Sequence, residues 1–147
     1  MNQLNLIKEF EKNGFTLSTD RQKLDIKFIH DFLTHSYWAE GVSLDSVQAT
    51  IDNSLCFGLY HEGKQIGFAN VLSDFGRVAH LYNVFIIEEY RGKGLGIWML
   101  DIIFHLEALN MVKKWLLATR DMQSLYAKFG FKSLATPDRL MEWRVQK

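Results

Sequence analysis

The feature that most restricts the fold is a change from strand to helix within one cluster of glycines. The stretch is NVFIIEEYRGKGLGIWMLDIIF, residues 83–104, which begins with a strand-like apolar run and ends with an apolar helical pattern. Gly92, Gly94 and Gly96 lie between the two, although the whole chain has only ten glycines and one proline. Such glycines predict a tight backbone turn where the helix begins.

The residues around these glycines are suited to bind a phosphate group. A helix N-terminus offers four unpaired N–H donors and the positive end of the helix dipole, and glycine lets the backbone approach an anion closely. Arg91 and Lys93 can add charge to the same anion. A structural turn alone needs one or two glycines and no flanking cations, so phosphate binding is the better interpretation.

Two common phosphate-binding motifs fit this stretch poorly. The nucleoside-triphosphate loop requires G-x-x-x-x-G-K-[ST], which the sequence lacks. The dinucleotide fingerprint G-x-G-x-x-G requires a third glycine where Ile97 stands. It also belongs to the first strand of a parallel unit, whereas this turn follows a predicted hairpin.

The composition limits the class of protein. The 147 residues, 48% hydrophobic and 14% aromatic, predict one packed domain, residues 1–147. Seventeen basic residues balance 17 acidic ones, which argues against a nucleic-acid-binding or membrane-surface protein. The single cysteine, Cys56, is interpreted as a buried thiol in a reducing compartment. With no signal-peptide pattern and no apolar run near the ~20 residues of a membrane span, we expect a cytoplasmic protein.

The hydrophobic pattern predicts an α/β protein with a mixed sheet. The first half contains a strand from Phe15, a helix over about 25–35, a second helix capped by Ser43, and a hairpin around HEGK. In the second half we expect a strand VAHLYNVFII covered on both faces, a helical stripe over 94–110, a strand KKWLLAT, a short helix ended by Gly130, and an edge strand MEWRVQ.

The segment EEYRGKGLG resembles the acyl-CoA-binding signature R/Q-x-x-G-x-G/A of the GNAT N-acetyltransferase superfamily. A second match is SLYAKFGF, so that the motifs cover about residues 55–132 and the element order covers the whole chain. The resemblance implies a three-layer α/β fold with a mixed, mostly antiparallel central sheet and helices on both faces. It also implies acetyl-CoA as cosubstrate, no metal, and direct acetyl transfer to a primary amine.

The resemblance assigns CoA binding to the glycine loop and the strand before it. The pyrophosphate would lie on the loop amides, and the pantetheine arm would lie where a bulged strand splays from the next parallel strand. A backbone N–H near Phe85 would polarise the thioester carbonyl, while the strand side chains fill the interior. The implied cofactor-binding residues are Val84, Phe85, Ile86, Arg91, Gly92, Lys93, Gly94, Leu95, Gly96, Ile97 and Ser124.

Tyr126, in SLYAKFGF, matches the superfamily tyrosine that faces the sulfur of CoA. A phenol of pKa ~10 held beside a thiolate whose conjugate acid has a pKa of ~8.5 is a weak but usable proton donor. The alternative interpretation is a tyrosine that packs against Phe129 and Phe131. The motif favours the catalytic role, and Ser124 and Lys128 on the same helix are further candidate CoA contacts.

The general base is left open, since the superfamily has no single shared base. The candidates are Asp74, His80, Glu40 and His35. The connection HSYWAEG, residues 35–41, is expected to line the acceptor site by resemblance.

In that connection Tyr37 and Trp38 would supply flat walls, and Glu40 could pair with an ammonium group. The alternative is that the two aromatic side chains clamp the flanking helices together.

Two other functions remain open from the sequence. One is a non-catalytic acyl-CoA-binding or regulatory module, against which Tyr126 argues, and the other is a nucleotide-binding protein. We expect a small-molecule or peptide amine as acceptor, a monomer or homodimer, and no nucleic-acid or membrane partner.

Overall fold

The computed structural model describes residues 2–146. Its strands are β1 Glu9–Lys12, β2 Phe15–Ser18, β3 Leu55–His61, β4 Lys64–Ser73, β5 Val78–Ile86 and β6 Lys114–Leu116. Its α-helices are α1 Ile26–Thr34, α2 Leu44–Asp52, α3 Leu95–Phe104 and α4 Gln123–Ala127. Single 3-10 turns cover Gln3–Asn5, Arg21–Lys23, Glu88–Tyr90, Glu107–Leu109 and Pro137–Arg139.

The chain folds into two compact units, Met1–Leu117 and Ala118–Lys147. The first unit holds β1 to β6 and α1 to α3, and the second holds α4. The single functional domain expected for residues 1–147 stays a prediction.

The sheet of the first unit has its six strands in sequence order, β1-β2-β3-β4-β5-β6. Neighbouring strands are antiparallel from β1 to β5, and β5 and β6 are parallel with α3 between them in the chain. Parallel neighbours need such a crossover, whereas a short turn is enough for an antiparallel pair. This sheet confirms the predicted mixed, mostly antiparallel α/β fold.

Helices α1 and α2 cover one face of the sheet. Their buried side chains form a core with Cys56, Phe68 and Phe85, contributed by Ile29, Leu33, Val47 and Ile51. Because alternate residues of a strand face opposite sides, Phe57 of β3 points to the other face, and it is buried as well. Strand β3 is therefore covered on both faces.

Strand β1 was missed in the sequence, since EFEK has too many charges to suggest a strand. It forms a hairpin with β2 through Asn13 and Gly14, whose φ angles are +52° and +84°. Two consecutive positive φ values are typical of the two-residue hairpin turn that Asn-Gly favours. The Asn-Gly pair was the sequence signal for this hairpin.

Strand β5 is less covered than predicted, with Val78 and Tyr82 exposed. The predicted coverage of both faces is wrong, because these exposed residues alternate with Ala79 and Leu81, which are buried. Alternate residues of a strand face opposite sides, so only one face of this part of β5 is packed in the core.

Helix α3 is shorter than the predicted stripe over 94–110. His105 Nδ1 lies 2.8 Å from Asp101 O, and Leu106 is extended at ψ 131°, so the helix ends there. Leu106 and Leu109 are nevertheless buried. The apolar spacing therefore predicted burial correctly and the backbone incorrectly.

The predicted edge strand MEWRVQ does not form. Residues 141–146 have no regular structure, and Met141 and Trp143 are 90% and 86% exposed. An alternating pattern needs a partner strand to become a strand, and the sheet ends at β6.

The N-terminus of α2 provides a test of helix capping. Ser43 Oγ accepts the Ser46 N–H at 3.1 Å, as the sequence predicted. Ser43→Ala removes this acceptor, and we expect the free energy of unfolding to fall by about 1 kcal/mol. Urea denaturation measures the change. Ser46→Ala is the control, since its hydroxyl does not cap the helix, and an equal loss in both variants would contradict the cap assignment.

Candidate functional site

The glycine loop follows β5 and the turn Glu88–Tyr90, and it ends in α3. Gly92 and Gly94 have φ angles of +77° and +78°, and a Cβ at either position would meet no atom within 4 Å. Glycine is thus favoured there by the left-handed backbone and not by crowding. Gly96 lies in α3, where a Cβ would be 3.7 Å from Ile86 Cδ1.

This loop presents an uninterrupted row of N–H groups. Within residues 2–146, no protein acceptor pairs with the backbone N–H groups of residues 92–97, and Gly94 provides no side-chain cap. The first bond of the helix runs from Trp98 N–H to Gly94 O at 3.1 Å. Six adjacent donors, at the positive end of a helix dipole, form a site suited to a diphosphate.

Arg91 is held at the entrance to this row of donors. Its Nε donates to Ile86 O at 2.8 Å, which fixes the guanidinium against the last residue of β5. Its Nη1 and Nη2 atoms have no protein partner in the described part of the chain, and Lys93 is exposed on the same loop. Both cations are therefore available to an anion on the loop.

Strand β5 carries a bulge, as the resemblance implied. Phe68 pairs with Phe85, but Asn70 pairs with Tyr82, so two residues of β5 lie opposite Ala69 alone. The two residues are Asn83 and Val84, and Asn83 has a φ of +55°. A bulge of this kind bends a strand and redirects its side chains.

Beyond the bulge, β5 has no strand partner on its β6 side among residues 2–146. Parallel pairing covers only Val78–His80 with Lys114–Leu116. Ile87 N–H donates to Ile66 O of β4 at 3.0 Å. Since neighbouring residues of a strand direct their backbone groups to opposite sides, the Ile86 N–H points away from β4. The strand therefore has an open edge that can pair with an extended ligand.

The side chain of Phe85 belongs to the core. Its ring stacks on Phe32 of α1 with a centroid separation of 3.8 Å and an interplanar angle of 5°. Phe28 and Phe68 lie 5.7 and 6.2 Å away. Only the main chain of Phe85 remains for a ligand, while Val84 and Ile86 are half-buried.

Strand β4 approaches the bulge region closely at Gly67. A Cβ on Gly67 would lie 2.9 Å from Phe85 O and 3.3 Å from Ile86 Cγ1. The first distance is shorter than real Cβ contacts, and the contacted atom belongs to the backbone. Glycine at this position therefore sets the spacing of β4 and β5 beside the glycine loop.

The second unit contains the other predicted site residues. Tyr126 is buried in α4, and its ring makes an edge contact with Phe131 at 5.9 Å between centroids. Ser124 is exposed on the same helix. The structure thus brings the loop and β5 residues together in the first unit and carries Tyr126 and Ser124 in the second, whose roles remain predictions.

Asp74, the first candidate base, uses its carboxylate to hold a turn. Asp74 Oδ1 accepts the backbone N–H groups of Gly76, Arg77 and Val78 at 2.8–3.0 Å. These bonds lower the pKa of Asp74, which makes it a turn-stabilising residue and a weak base.

The second of these candidates is His80. Burial lowers the pKa of His80, so its imidazole stays neutral and able to accept a proton at neutral pH. Its ring stacks on the ring of Tyr82, with 4.1 Å between the ring centroids. The other two candidates lie in the α1–α2 connection, where His35 is exposed and Glu40 is also exposed, and His35 Nδ1 lies 2.7 Å from Asp31 O.

A hydrogen bond joins the α1–α2 connection to the bulge. Trp38 Nε1 donates to Asn83 Oδ1 at 3.0 Å. The Trp38 ring makes an edge contact with the Tyr37 ring, with 5.2 Å between the ring centroids. Trp38 is 42% exposed and Tyr37 is 49% exposed. The centroid of the Trp38 ring also lies 6.3 Å from that of Phe32 of α1. One side of Trp38 therefore packs on the fold, and the other is accessible to a ligand.

Asn83 and Asn70 were not identified from the sequence. Asn83 Nδ2 donates to Asn70 Oδ1 at 2.9 Å. Their signal was the presence of two amides within the apolar runs GFANV and LYNVF, since a polar residue in a buried strand requires a partner.

The structure shows no feature of a metal centre or membrane-spanning helix in the residues it describes. No group of three or more His, Cys, Asp or Glu side chains is placed to hold a metal ion within residues 2–146. No helix in that range is long and apolar enough to cross a membrane.

Comparison with known proteins supports the acetyltransferase family that the glycine loop predicted. The family model for the acetyltransferase (GNAT) domain matches residues 52–133. A Gibberella zeae protein named as an acetyltransferase is 26% identical over 142 residues, which cover 82% of this chain and 80% of that protein. A Xanthomonas campestris structure described as a GNAT-family acetyltransferase has a TM-score of 0.88 and 38% identity, with 92% and 96% of the two chains covered.

A third structure shows the same fold at lower identity. It is a Clostridium acetobutylicum protein described as an acetyltransferase with acetyl-CoA, with a TM-score of 0.66 and 17% identity, covering 88% of this chain and 94% of that one. Together with the family match, these similarities show that the chain belongs to the GNAT acetyltransferase family. The family and enzyme class predicted from the glycine loop are confirmed.

The close approach at Gly67 gives a prediction about the site's framework. Gly67→Ala forces β4 and β5 apart, and we expect a loss of about 1–3 kcal/mol in the free energy of unfolding. Gly96→Ala is the matched control, because its Cβ has room and alanine favours a helix by up to about 1 kcal/mol. Thermal and urea denaturation compare the two. Equal stability of both variants would contradict the assigned role of Gly67.

Proposed function

We propose that this protein is an N-acetyltransferase that moves an acetyl group from acetyl-CoA directly to a primary amine. The observation that carries the proposal is the row of six N–H donors at residues 92–97, beside an unpaired edge of β5 in a member of the GNAT family. The loop suits a diphosphate, and the strand edge suits an extended amide-containing arm such as that of CoA.

The proposed contacts to acetyl-CoA follow from these backbone donors. The amides of residues 92–97, with Arg91 and Lys93, bind the pyrophosphate. The backbone of Val84, Phe85 and Ile86 pairs with the pantetheine arm, and Ser124 is a further contact. Binding of acetyl-CoA is named for the Clostridium acetobutylicum protein, whose fold is the same.

In the proposed chemistry, a C–N bond forms and the thioester C–S bond breaks. The Ile86 N–H, next to Phe85, polarises the thioester carbonyl. A base removes the proton that the attacking amine must lose, and Tyr126 gives a proton to the departing thiolate. Between His80 and Asp74, His80 is the better-suited base, because burial lowers the pKa of His80 and favours its neutral imidazole, whereas Asp74 is engaged with its turn.

The acceptor is proposed to bind against the α1–α2 connection. Tyr37 and Trp38 expose flat rings next to the bulge, and the exposed Glu40 can pair with an ammonium group. This arrangement suits an amine with an apolar or aromatic body, of small-molecule or peptide origin.

We also propose that residues 1–147 act as one acetyltransferase domain. The family match at residues 52–133 includes sequence from both compact units, which supports a shared function. A cytoplasmic location is part of the proposal, since Cys56 is a buried free thiol and such thiols are typical of reducing compartments.

An amine panel with acetyl-CoA tests the proposal by measuring thiol release. Burial raises the pKa of the Cys56 thiol to about 11, so this cysteine reacts little with the thiol reagent while the protein is folded. Amine-dependent thiol release supports the transferase. Calorimetric binding of acetyl-CoA without release from any amine would instead indicate a non-catalytic acyl-CoA-binding module, and neither binding nor release would contradict both.

A pair of variants at Gly94 tests the loop. Gly94→Asp and Gly94→Asn impose the same strain at φ +78°, about 1 kcal/mol, but only the first adds a negative charge beside the proposed pyrophosphate. We expect acetyl-CoA to bind at least about tenfold more weakly to the aspartate variant than to the asparagine variant. Calorimetry measures both affinities, and equal affinities would exclude the loop as the anion site.

The proton-donor role of Tyr126 is tested by removing its hydroxyl. Tyr126→Phe is expected to lower the single-turnover rate by about a hundredfold or more while acetyl-CoA affinity is kept. Tyr60→Phe is the control, since the Tyr60 hydroxyl is buried and has no hydrogen-bond partner in the part of the chain that the structure describes. An unchanged rate with lowered stability would make Tyr126 a packing residue only.

A further inference from the structure

A series of side-chain hydrogen bonds links the α1–α2 connection to the end of α2 through the sheet. Trp38 Nε1 donates to Asn83 Oδ1 at 3.0 Å, and Asn83 Nδ2 donates to Asn70 Oδ1 at 2.9 Å. Asn70 Nδ2 donates to Ser54 Oγ at 2.9 Å, and Ser54 Oγ donates to Thr50 O at 2.7 Å. Each amide in the series thus uses both its oxygen and its nitrogen.

The inner part of this series is fixed by burial. Asn70 is 1% exposed and Ser54 is 3% exposed, so their polar atoms have little access to water. A buried amide without a partner costs about 1–3 kcal/mol, which makes alternative rotamers of Asn70 unfavourable. The Asn70 oxygen therefore holds the Asn83 side chain in one orientation.

The strand bulge directs Asn83 toward this series. Tyr82 pairs with Asn70, so the two side chains share one face of the sheet. In a regular strand, Asn83 follows Tyr82 and would therefore lie on the opposite face from Asn70. The positive φ of Asn83 instead turns its side chain to the face that carries Asn70. Asn tolerates this backbone conformation better than most residues.

The outer end of the series holds a side chain proposed above as a wall of the acceptor site. Trp38 is 42% exposed, and its indole N–H is bonded to β5 through Asn83 Oδ1. The same bulge precedes Phe85 and Ile86, whose backbone is proposed to contact the thioester. One residue therefore sets the position of the wall relative to the reacting strand.

We infer that Asn83 is a positioning residue for the acceptor: its amide holds the indole of Trp38 at the bulge and thereby determines the affinity for the amine. The inference rests on the proposed transferase function. It concerns the amine and not acetyl-CoA, because the pyrophosphate loop makes none of these hydrogen bonds.

The test is a double-mutant cycle with Asn83→Gly and Trp38→Phe. Glycine keeps the positive φ without strain and removes the amide, and phenylalanine keeps an aromatic ring but has no N–H donor. Because Trp38→Phe also changes the wall itself, only the cycle isolates the hydrogen bond. Asn13→Gly is the control, as it makes the same substitution at a positive-φ residue of the β1–β2 turn.

The inference expects a change in the Michaelis constant of the amine. Each single variant should raise KM for the best amine of the panel by about three- to tenfold, the strength of one hydrogen bond. In the double variant, the rise in the amine KM should not exceed the product of the two single rises divided by that three- to tenfold factor. The reason is that the same hydrogen bond can be lost only once. The KM of acetyl-CoA and kcat should stay within about twofold of their original values, and Asn13→Gly should change nothing.

Two kinetic results would overturn the inference. One is an unchanged amine KM in Asn83→Gly, and the other is a double variant whose effects simply multiply. A general weakening of the fold would raise both Michaelis constants together, so the separation between amine and acetyl-CoA excludes a purely structural effect.

A second measurement tests the inference even if no amine is acetylated, in which case the proposed function fails separately. Hydrogen exchange reports on two amides at the end of the connection, since Gly41 N–H donates to Thr34 O of α1 and Val42 N–H donates to Ala39 O. We expect faster exchange of these amides in Asn83→Gly than in Asn13→Gly. Equal exchange in the two variants would show that Asn83 does not hold the connection.

Discussion

The single extra residue in β5 is the constraint on which the site depends. Because Asn83 and Val84 together oppose Ala69, the strand bends beyond its short pairing with β6. Among residues 2–146, the Ile86 backbone then has no partner strand on its β6 side, and the bulge turns Asn83 toward Trp38. The bulge thus connects the proposed acyl-CoA edge with the proposed acceptor wall.

The glycine loop adds a second constraint, which is electrostatic. Gly92 and Gly94 have positive φ angles, and the N–H groups of residues 92–97 meet no protein acceptor in the described residues. Unpaired donors are costly only when they are buried, and most of this loop is exposed. Arg91, held by Ile86 O, connects this anion site physically to the end of β5.

Much of the fold followed from local patterns. The spacing of apolar residues predicted α1 and α2, Ser43 predicted the cap of α2, and the HEGK turn predicted the β3–β4 hairpin. Each of these features is specified by neighbouring residues. The predictions that failed concern contacts between segments that are distant in the chain. The β1 strand and the absence of a strand at residues 141–146 depend on which segments pair, and periodicity does not encode a partner.

The sequence by itself determined the class of protein, since three glycines, two cations and a strand-to-helix change restrict the backbone to an anion-binding turn. It also indicated the tyrosine motif and the aromatic connection. Only the tertiary structure decided that Asp74 belongs to a turn, that the Phe85 side chain lies in the core, and that Asn83 meets Trp38 45 residues away. Those outcomes depend on register and on one bulge, which place distant side chains together in ways that no local spacing specifies.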